Sequence, residues 1–216
     1  MGYKIIIADD HPLFRTALKS SVMQALDEPE IHETGSIAGL QTLLESSLSP
    51  DLILLDLNMP GAHGLSGLIF LRGQYPGVPV AIVSASEDQQ VVHKVMNHGG
   101  NGFIPKSTPL DDLKDAVIKI LQGESWWPAN IQPSETQGIS DIEAKLATLT
   151  PQQFRVLGMI SEGLLNKQIA YDLSVSEATV KAHVTAIFKK LGVRSRTQAV
   201  IAVKELEIDT PPTKSD

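Results

Sequence analysis

Over the first 121 positions the apolar residues fall into short unbroken runs separated by longer stretches with helical spacing. Ile5-Ile6-Ile7, Leu52-Ile53-Leu54-Leu55, Val80-Ala81-Ile82-Val83 and Phe103-Ile104 are such runs. A strand that is apolar at every position is covered on both faces, as in a parallel sheet flanked by helices. The pattern predicts strands near 4–8, 31–34, 51–55, 79–83 and 102–104, and amphipathic helices near 12–26, 37–47, 65–74, 88–98 and 110–121. Five strand–helix repeats of this kind predict an α/β domain with a doubly wound, five-stranded parallel sheet. Pro60-Gly61 with Gly64, and Gly99-Gly100, break the chain where turns are needed.

The pattern fades from Gln122 to about Thr148, which reads as a linker with a short helix near 140–148. Gln132-Pro133-Ser134 has loop chemistry, and Trp126-Trp127 is expected to pack the linker onto a domain. Beyond it every signal is helical. Thr150-Pro151-Gln152-Gln153 combines an N-cap, a first-turn proline and the glutamine of a capping box. Asn166 and Ser176 are expected to cap the next two helices, Gly192 ends the longer one, and a fourth runs from about Thr197 to Leu206. The expected domains are residues 1–121, a linker at 122–148, an all-α four-helix unit at 149–209 and a disordered tail at 210–216.

Composition narrows the chemistry. There is no cysteine, which excludes disulfides and thiolate catalysis. No apolar run approaches the roughly 18 residues of a membrane span, so no membrane association is expected and a cytoplasmic location is the default. The net charge of −7 conceals an asymmetry. Residues 146–216 hold 9 basic and 7 acidic side chains, a balance of +2, while the rest hold 9 and 18, a balance of −9.

The apolar runs end in single polar groups: Asp9-Asp10, Asp56, Ser84 and Lys106. In an open parallel sheet the carboxyl ends of the strands form the ligand crevice, so these groups converge. Asp9, Asp10 and Asp56 can share one Mg²⁺, which takes a few carboxylates and keeps waters. Asp56 is then a phosphoryl acceptor, since carboxylates form aspartyl phosphates. Lys106 can neutralise charge on phosphoryl oxygens, and Ser84 can donate a hydrogen bond to them.

This segment resembles the receiver domain of two-component response regulators. The resemblance rests on Asp9-Asp10, on Asp56 within Pro50–Gly61, on Ser84, and on Phe103-Ile104-Pro105-Lys106, and covers residues 3–121. It implies a flavodoxin-like receiver fold and transfer of phosphate to Asp56 from a histidine kinase. It also implies direct Mg²⁺ ligation by Asp10, Asp56 and the backbone carbonyl of Asn58, with Asp9 acting through water. Ser84 and Phe103 fall at the positions that report phosphorylation. His63 stands where many relatives have Asp and is read as a loop variant. No histidine is assigned a catalytic role.

In the C-terminal unit, Asn166–Leu173, the turn Ser174-Val175 and the helix from Ser176 to Lys190 have helix-turn-helix organisation. Lys181, Thr185 and Lys189, spaced four apart, share the polar face of the second helix, and Lys190, Arg194 and Arg196 extend the basic patch. Leu149-Thr150-Pro151, Asn166–Ala170, Ser176–Val184, Lys190–Val193 and Arg196–Ala199 resemble the LuxR-type DNA-binding domain, which with the receiver gives the NarL/FixJ architecture. The resemblance implies double-stranded DNA as a partner, with Lys181, Ala182 and Thr185 facing bases and Lys167, Lys189 and Arg196 contacting the backbone. It also makes the last helix a homodimerisation element through Ala199, Val203 and Leu206. Thr185 replaces a lysine of some relatives, Gln152-Gln153 an Arg-Glu pair, and Leu165 a small polar residue.

The expected function is a phosphorylation-controlled transcription regulator that dimerises on activation. It is not an enzyme beyond slow autodephosphorylation. An aspartyl-phosphate hydrolase would need an acid two residues after the nucleophile, where Asn58 stands. A DNA binder whose receiver serves only dimerisation is the other alternative.

Overall fold

A computed structural model describes residues 2–46, 48–129, 131 and 140–206. Its first unit runs β1 (Lys4–Ala8), α1 (Pro12–Ala25), β2 (Glu30–Thr34), α2 (Ile37–Glu45), β3 (Leu52–Asp56), β4 (Asn58–Met59), β5 (Ala62–His63), α3 (Ser66–Gln74), β6 (Val80–Ser84), α4 (Gln89–Asn97), β7 (Gly102–Pro105) and α5 (Leu110–Leu121). Five strands form one parallel sheet in the order β2-β1-β3-β6-β7. This is the expected doubly wound sheet. The strand order turns between β1 and β3, which places the crevice at their carboxyl ends.

The continuous apolar runs have the anticipated cause. Side chains alternate across a strand. Ile5, Ile7, Leu52, Leu54, Ala81, Val83 and Ile104 join α1 and α5 in one core layer. Ile6, Ala8, Ile53, Leu55, Val80, Ile82 and Phe103 join α2, α3 and α4 in the other. β2, at the edge, has no fully buried residue, which explains its weak hydrophobic signal.

Two features were not foreseen. The segment after Asp56 is a small antiparallel hairpin, β4 with β5, turned by Gly61 at φ +88°. In this left-handed region only glycine is unstrained. The linker extends the sheet edge: Trp126 bridges Gly102 in parallel, its carbonyl accepting the Phe103 N–H at 2.9 Å. Both tryptophans are half-buried against the core. Residues 132–139 and 207–216, which include Gln132-Pro133-Ser134 and the tail, lie outside the described residues.

The second unit holds α6 (Asp141–Ala147), α7 (Pro151–Ser161), α8 (Asn166–Asp172), α9 (Glu177–Leu191) and α10 (Arg196–Lys204). Thr150 and Gln153 form the reciprocal capping box, and the Ser176 hydroxyl accepts from the Thr179 N–H. Asn166 is not a cap: it is the first residue of α8, and the N-cap position is Leu165, whose N–H donates to the Gln168 side chain at 2.7 Å. α10 starts at Arg196 behind the Ser195 cap. Between α8 and α9, Ser174 makes the tight turn at φ +54°.

The two units share one apolar core. The layer containing Ile6 and Leu55 continues through Phe70 into Phe154, Leu157, Ile169, Val180 and Ile187. Phe70 and Phe154 stack with centroids 4.3 Å apart and planes 17° from parallel. Around them, Arg155 donates to Gln41 Oε1 (3.2 Å) and to the Ala38 carbonyl (3.2 Å). The buried Gln41 donates to the Pro151 carbonyl at 3.1 Å, and Glu162 accepts from the Gly61 N–H at 2.8 Å. His98 at the end of α4 lies 2.9 Å from Glu143 of α6.

Candidate functional site

Asp9 and Asp56 end adjacent strands at the crevice, and both are buried. Lys106, just past β7, brings its Nζ to 2.8 Å from Asp9 Oδ2 and 2.9 Å from Asp56 Oδ2. Its position is fixed by its own N–H, which donates to the Ser84 carbonyl at 2.7 Å, and by the Phe14 ring, 4.8 Å from Nζ. Asp10 is half-buried at the rim.

Three carboxylates against one ammonium leave an excess of two negative charges at this crevice. One divalent cation cancels that excess. The donor set fits such an ion: Asp9, Asp10 and Asp56 bring carboxylate oxygens within 4.8 Å of one another, with the Lys106 ammonium the one lysine or arginine group paired with them. Carboxylates gathered this closely repel one another, and a hard divalent cation that takes oxygen ligands relieves that repulsion.

Burial pushes the Asp56 carboxyl above its usual range and the Asp9 charge adds to this, while the Lys106 ammonium pulls the other way without cancelling them. For Lys106, burial alone would lower its proton affinity, but the hydrogen bonds and charges of Asp9 and Asp56 win and raise it. The lysine therefore stays cationic, and Asp56 is a carboxylate that gains from a neighbouring cation.

Ser84 is buried at the end of β6, its hydroxyl accepting from the Ser86 N–H at 3.1 Å. Phe103 is fully buried in the layer with α4. Asn58 opens the hairpin, its N–H donating to Asp56 Oδ1 at 3.3 Å, and its side chain is exposed. His11, which adjoins the acidic pair in the sequence and was expected at most to touch the crevice, reaches it. His11 Nδ1 lies 2.7 Å from Asp10 Oδ1, 3.5 Å from Asp9 Oδ1 and 3.8 Å from Asp56 Oδ2.

In the helical unit, Lys181, Ala182, Thr185 and Lys189 are exposed along one face of α9, as is Lys167 on α8. No other part of the described chain covers that face. Lys181 pairs with Glu177 one turn back at 3.2 Å, and the Thr185 hydroxyl donates to the Lys181 carbonyl. Arg196 departs from expectation. Its Nη2 donates to the Ile160 carbonyl at 3.2 Å and to the Leu164 carbonyl, so the guanidinium caps the end of α7 instead of standing free. Lys190 is likewise used, donating to the Thr148 carbonyl and to Gln153. Ala199, Val203 and Leu206 also depart from expectation: all three are buried within the chain. They pack α10 into the core that the two units share, and the Leu206 carbonyl accepts the Leu65 N–H at 3.2 Å. The exposed apolar residue of α10 is Ile201, 52% accessible.

Comparison with known proteins follows this division. Residues 5–118 match the response regulator receiver domain, and residues 147–203 match the bacterial regulatory proteins of the luxR family. The glycerol metabolism activator of Pseudomonas putida is 42% identical over 213 residues, covering 95% of this chain and 96% of its own. The nitrate/nitrite response regulator protein NarL of Escherichia coli K12 is 34% identical over 209 residues, covering 94% and 96%. Among solved structures, two RcsB dimers bound to two parallel DNAs align with a TM-score of 0.57 at 21% identity, over 95% of this chain and 100% of that one, a likeness of fold. A LuxR family DNA-binding response regulator from Silicibacter pomeroyi aligns with a TM-score of 0.53 at 30% identity, over 59% of this chain and 98% of that one.

Proposed function

Since the chain belongs to the response regulators of the NarL/FixJ type, a receiver joined to a LuxR-type DNA-binding domain, we propose that Asp56 takes a phosphoryl group from a histidine kinase and that α8 and α9 answer on double-stranded DNA. The observation that carries this reading is the Asp56 carboxylate, buried at the crevice with Lys106 Nζ at 2.9 Å and two further carboxylates beside it.

Each residue then has a role that its position supports. An Asp56 oxygen attacks phosphorus in line with the departing imidazole of the donor. Lys106, already cationic, balances charge on the phosphoryl oxygens. Asp10, Asp56 and the Asn58 carbonyl would hold Mg²⁺ directly and Asp9 through water. The ion supplies the positive charge that lets an anionic donor approach an anionic acceptor. The Ser84 hydroxyl turns from the Ser86 N–H to the new phosphoryl oxygen, and Phe103 repacks with it. Asn58 offers no acid or base to water, so self-catalysed loss of the phosphoryl group is slow.

On DNA, Lys181, Ala182 and Thr185 are assigned to base edges and Lys167 and Lys189 to phosphates. Dimerisation on activation would use the outer face of α10, around Ile201. The working division is a receiver at 1–121, a linker at 122–148 and the DNA-binding unit from 149. Among the described residues no helix is long and apolar enough to cross a membrane. A kinase donor and a DNA target agree with a cytoplasmic protein.

The test is incubation of the full chain with Mg²⁺ and a small phosphodonor, followed by intact mass and sedimentation. Wild type is expected to gain one phosphoryl group and to form dimers that bind DNA more tightly. Asp56→Asn should do neither. Equal DNA binding by both proteins, with and without donor, would refute phosphoryl control and favour the receiver as a mere dimerisation unit.

A further inference from the structure

A buried pair containing a histidine spans the docking interface. His98 ends α4 of the receiver, and Glu143 lies in the first turn of α6. Their side chains are only 9% and 14% accessible. α6 is fastened in turn to the DNA-binding unit, since Lys190 of α9 donates to the Thr148 carbonyl at its end, at 2.7 Å. The contact therefore ties the receiver to the element that leads into the DNA-binding helices.

The geometry sets how many protons the imidazole carries. His98 Nδ1 lies 2.5 Å from the Lys94 carbonyl oxygen, and Nε2 lies 2.9 Å from Glu143 Oε1. A carbonyl and a carboxylate only accept, whereas a neutral imidazole has a single N–H. A neutral ring would thus set a lone pair against one of these oxygens, in a site that admits little water. A protonated Glu143 could donate instead, but its carboxylate is held ionised. Its Oε2 accepts the Ser140 N–H at 2.5 Å. Burial alone would raise the Glu143 carboxyl, but the Ser140 hydrogen bonds and the charge and hydrogen bond of His98 outweigh it and hold it below its usual range. Among the described residues, Glu143 is the one carboxylate that lines the cleft around His98. Arg72 of α3 lines it too, with Nη1 given to the Val78 carbonyl at 2.9 Å, and its charge opposes an imidazolium. Lys94 is exposed one turn back on α4, and Asp141 and Lys145 of α6 pair with each other.

We propose that His98 and Glu143 form a proton-operated latch between the two units: docking takes up a proton on His98 and closes the ion pair, and loss of that proton loosens the DNA-binding unit from the receiver. The sign follows from linkage. The docked state holds an imidazolium, while the parted state leaves a free imidazole, which titrates near neutrality. Docking is therefore tightest below the ordinary imidazole range and weakens as pH rises through it. Glu143 keeps its charge at the acid end, because its carboxyl is held below the usual range. The latch lies outside the acidic crevice, so the proton is an input on docking separate from Asp56.

The experiment follows the full chain from about pH 5.5 to about pH 8 at fixed ionic strength, in enough urea to part the units in a fraction of the molecules. Small-angle scattering gives the parted fraction, and nitrogen spectra of the histidine rings give the protons on His98. Wild type, His98→Gln, Glu143→Gln and the double variant are compared. The wild-type docking constant is expected to fall about fivefold or more across the range, and the docked His98 ring should carry a proton on each nitrogen at the acid end. Both single variants and the double variant should dock alike and lose this dependence, the other histidines giving a background common to all four proteins. Wild-type docking that does not change with pH, or a dependence that survives undiminished in the variants, would overturn the proposal. So would a docked His98 ring with one proton at the acid end. That spectrum is read on wild type alone, so it decides the matter even where a variant fails to dock.

Discussion

Gly158→Ala separates the docking of the two units from the stability of either. Gly158 lies inside α7, where alanine is the better helix former by about 1 kcal/mol. Judged by the helix alone, the substitution stabilises. In the folded chain a Cβ at this position would sit 2.4 Å from the Gly61 carbonyl oxygen and 2.9 Å from its Cα. That is about 1 Å inside ordinary contact. The Gly61 turn is itself packed closely, with Ile37 Cγ2 2.4 Å from where a Gly61 Cβ would be.

The α7 surface must therefore lift. Lifting it weakens the Phe70–Phe154 stack, about 0.5–1.5 kcal/mol, and the charge-assisted hydrogen bonds of Arg155 and Glu162, about 1.5–3 kcal/mol each. A docking loss of at least about 2 kcal/mol exceeds the helical gain. Small-angle scattering should show a larger radius of gyration for Gly158→Ala, and calorimetry should resolve two transitions where wild type gives one. An unchanged scattering curve with a single transition at an equal or higher midpoint would show that Gly61 yields and that the interface is not tightly packed there.

Lys106→Ala leaves Asp9 and Asp56 facing each other unpaired, and is expected to destabilise the metal-free protein by about 3 kcal/mol; thermal unfolding with and without Mg²⁺ checks it, and Mg²⁺ should restore much of the loss. Because burial raises the Asp56 proton affinity in the folded state, its ionisation works against folding. The sign is that stability falls as pH rises from the ordinary carboxylate range through the raised value. Asp56→Asn should therefore raise the metal-free melting midpoint at neutral pH and lose that advantage in acid, and a lower midpoint at neutral pH would contradict this. Lys189→Ala should weaken DNA binding at all sequences and reduce its salt dependence by roughly one counterion, whereas Lys181→Ala should also change sequence preference. Arg196→Ala should act on stability, by about 1–3 kcal/mol for the carbonyls left behind, while the variant that remains folded binds DNA as wild type does in a salt titration.

The sequence by itself determined the sheet and the crevice. A strand covered on both faces must be apolar at every position, so a polar residue at its end stands out. Asp9, Asp10, Asp56 and Lys106 were legible for that reason, and the parallel pairing followed from the alternation with helices, while the strand order came from the fold. The caps at Thr150 and Ser176 were legible because their hydrogen bonds close within three residues. What tertiary structure decided depends on partners distant in the chain. Arg196 reads as a free cation until the end of α7 and the loop after it present it with carbonyls 36 and 32 residues away. Ala199, Val203 and Leu206 form an apolar stripe that fits a partner copy equally well as the molecule's own core, and periodicity cannot tell the two apart. The docking of the units was invisible because its contacts join residues more than 100 positions apart, such as Gln41 with Arg155 and Gly61 with Glu162. Each is an ordinary polar or glycine residue on its own element, and only the packed chain gives it a neighbour.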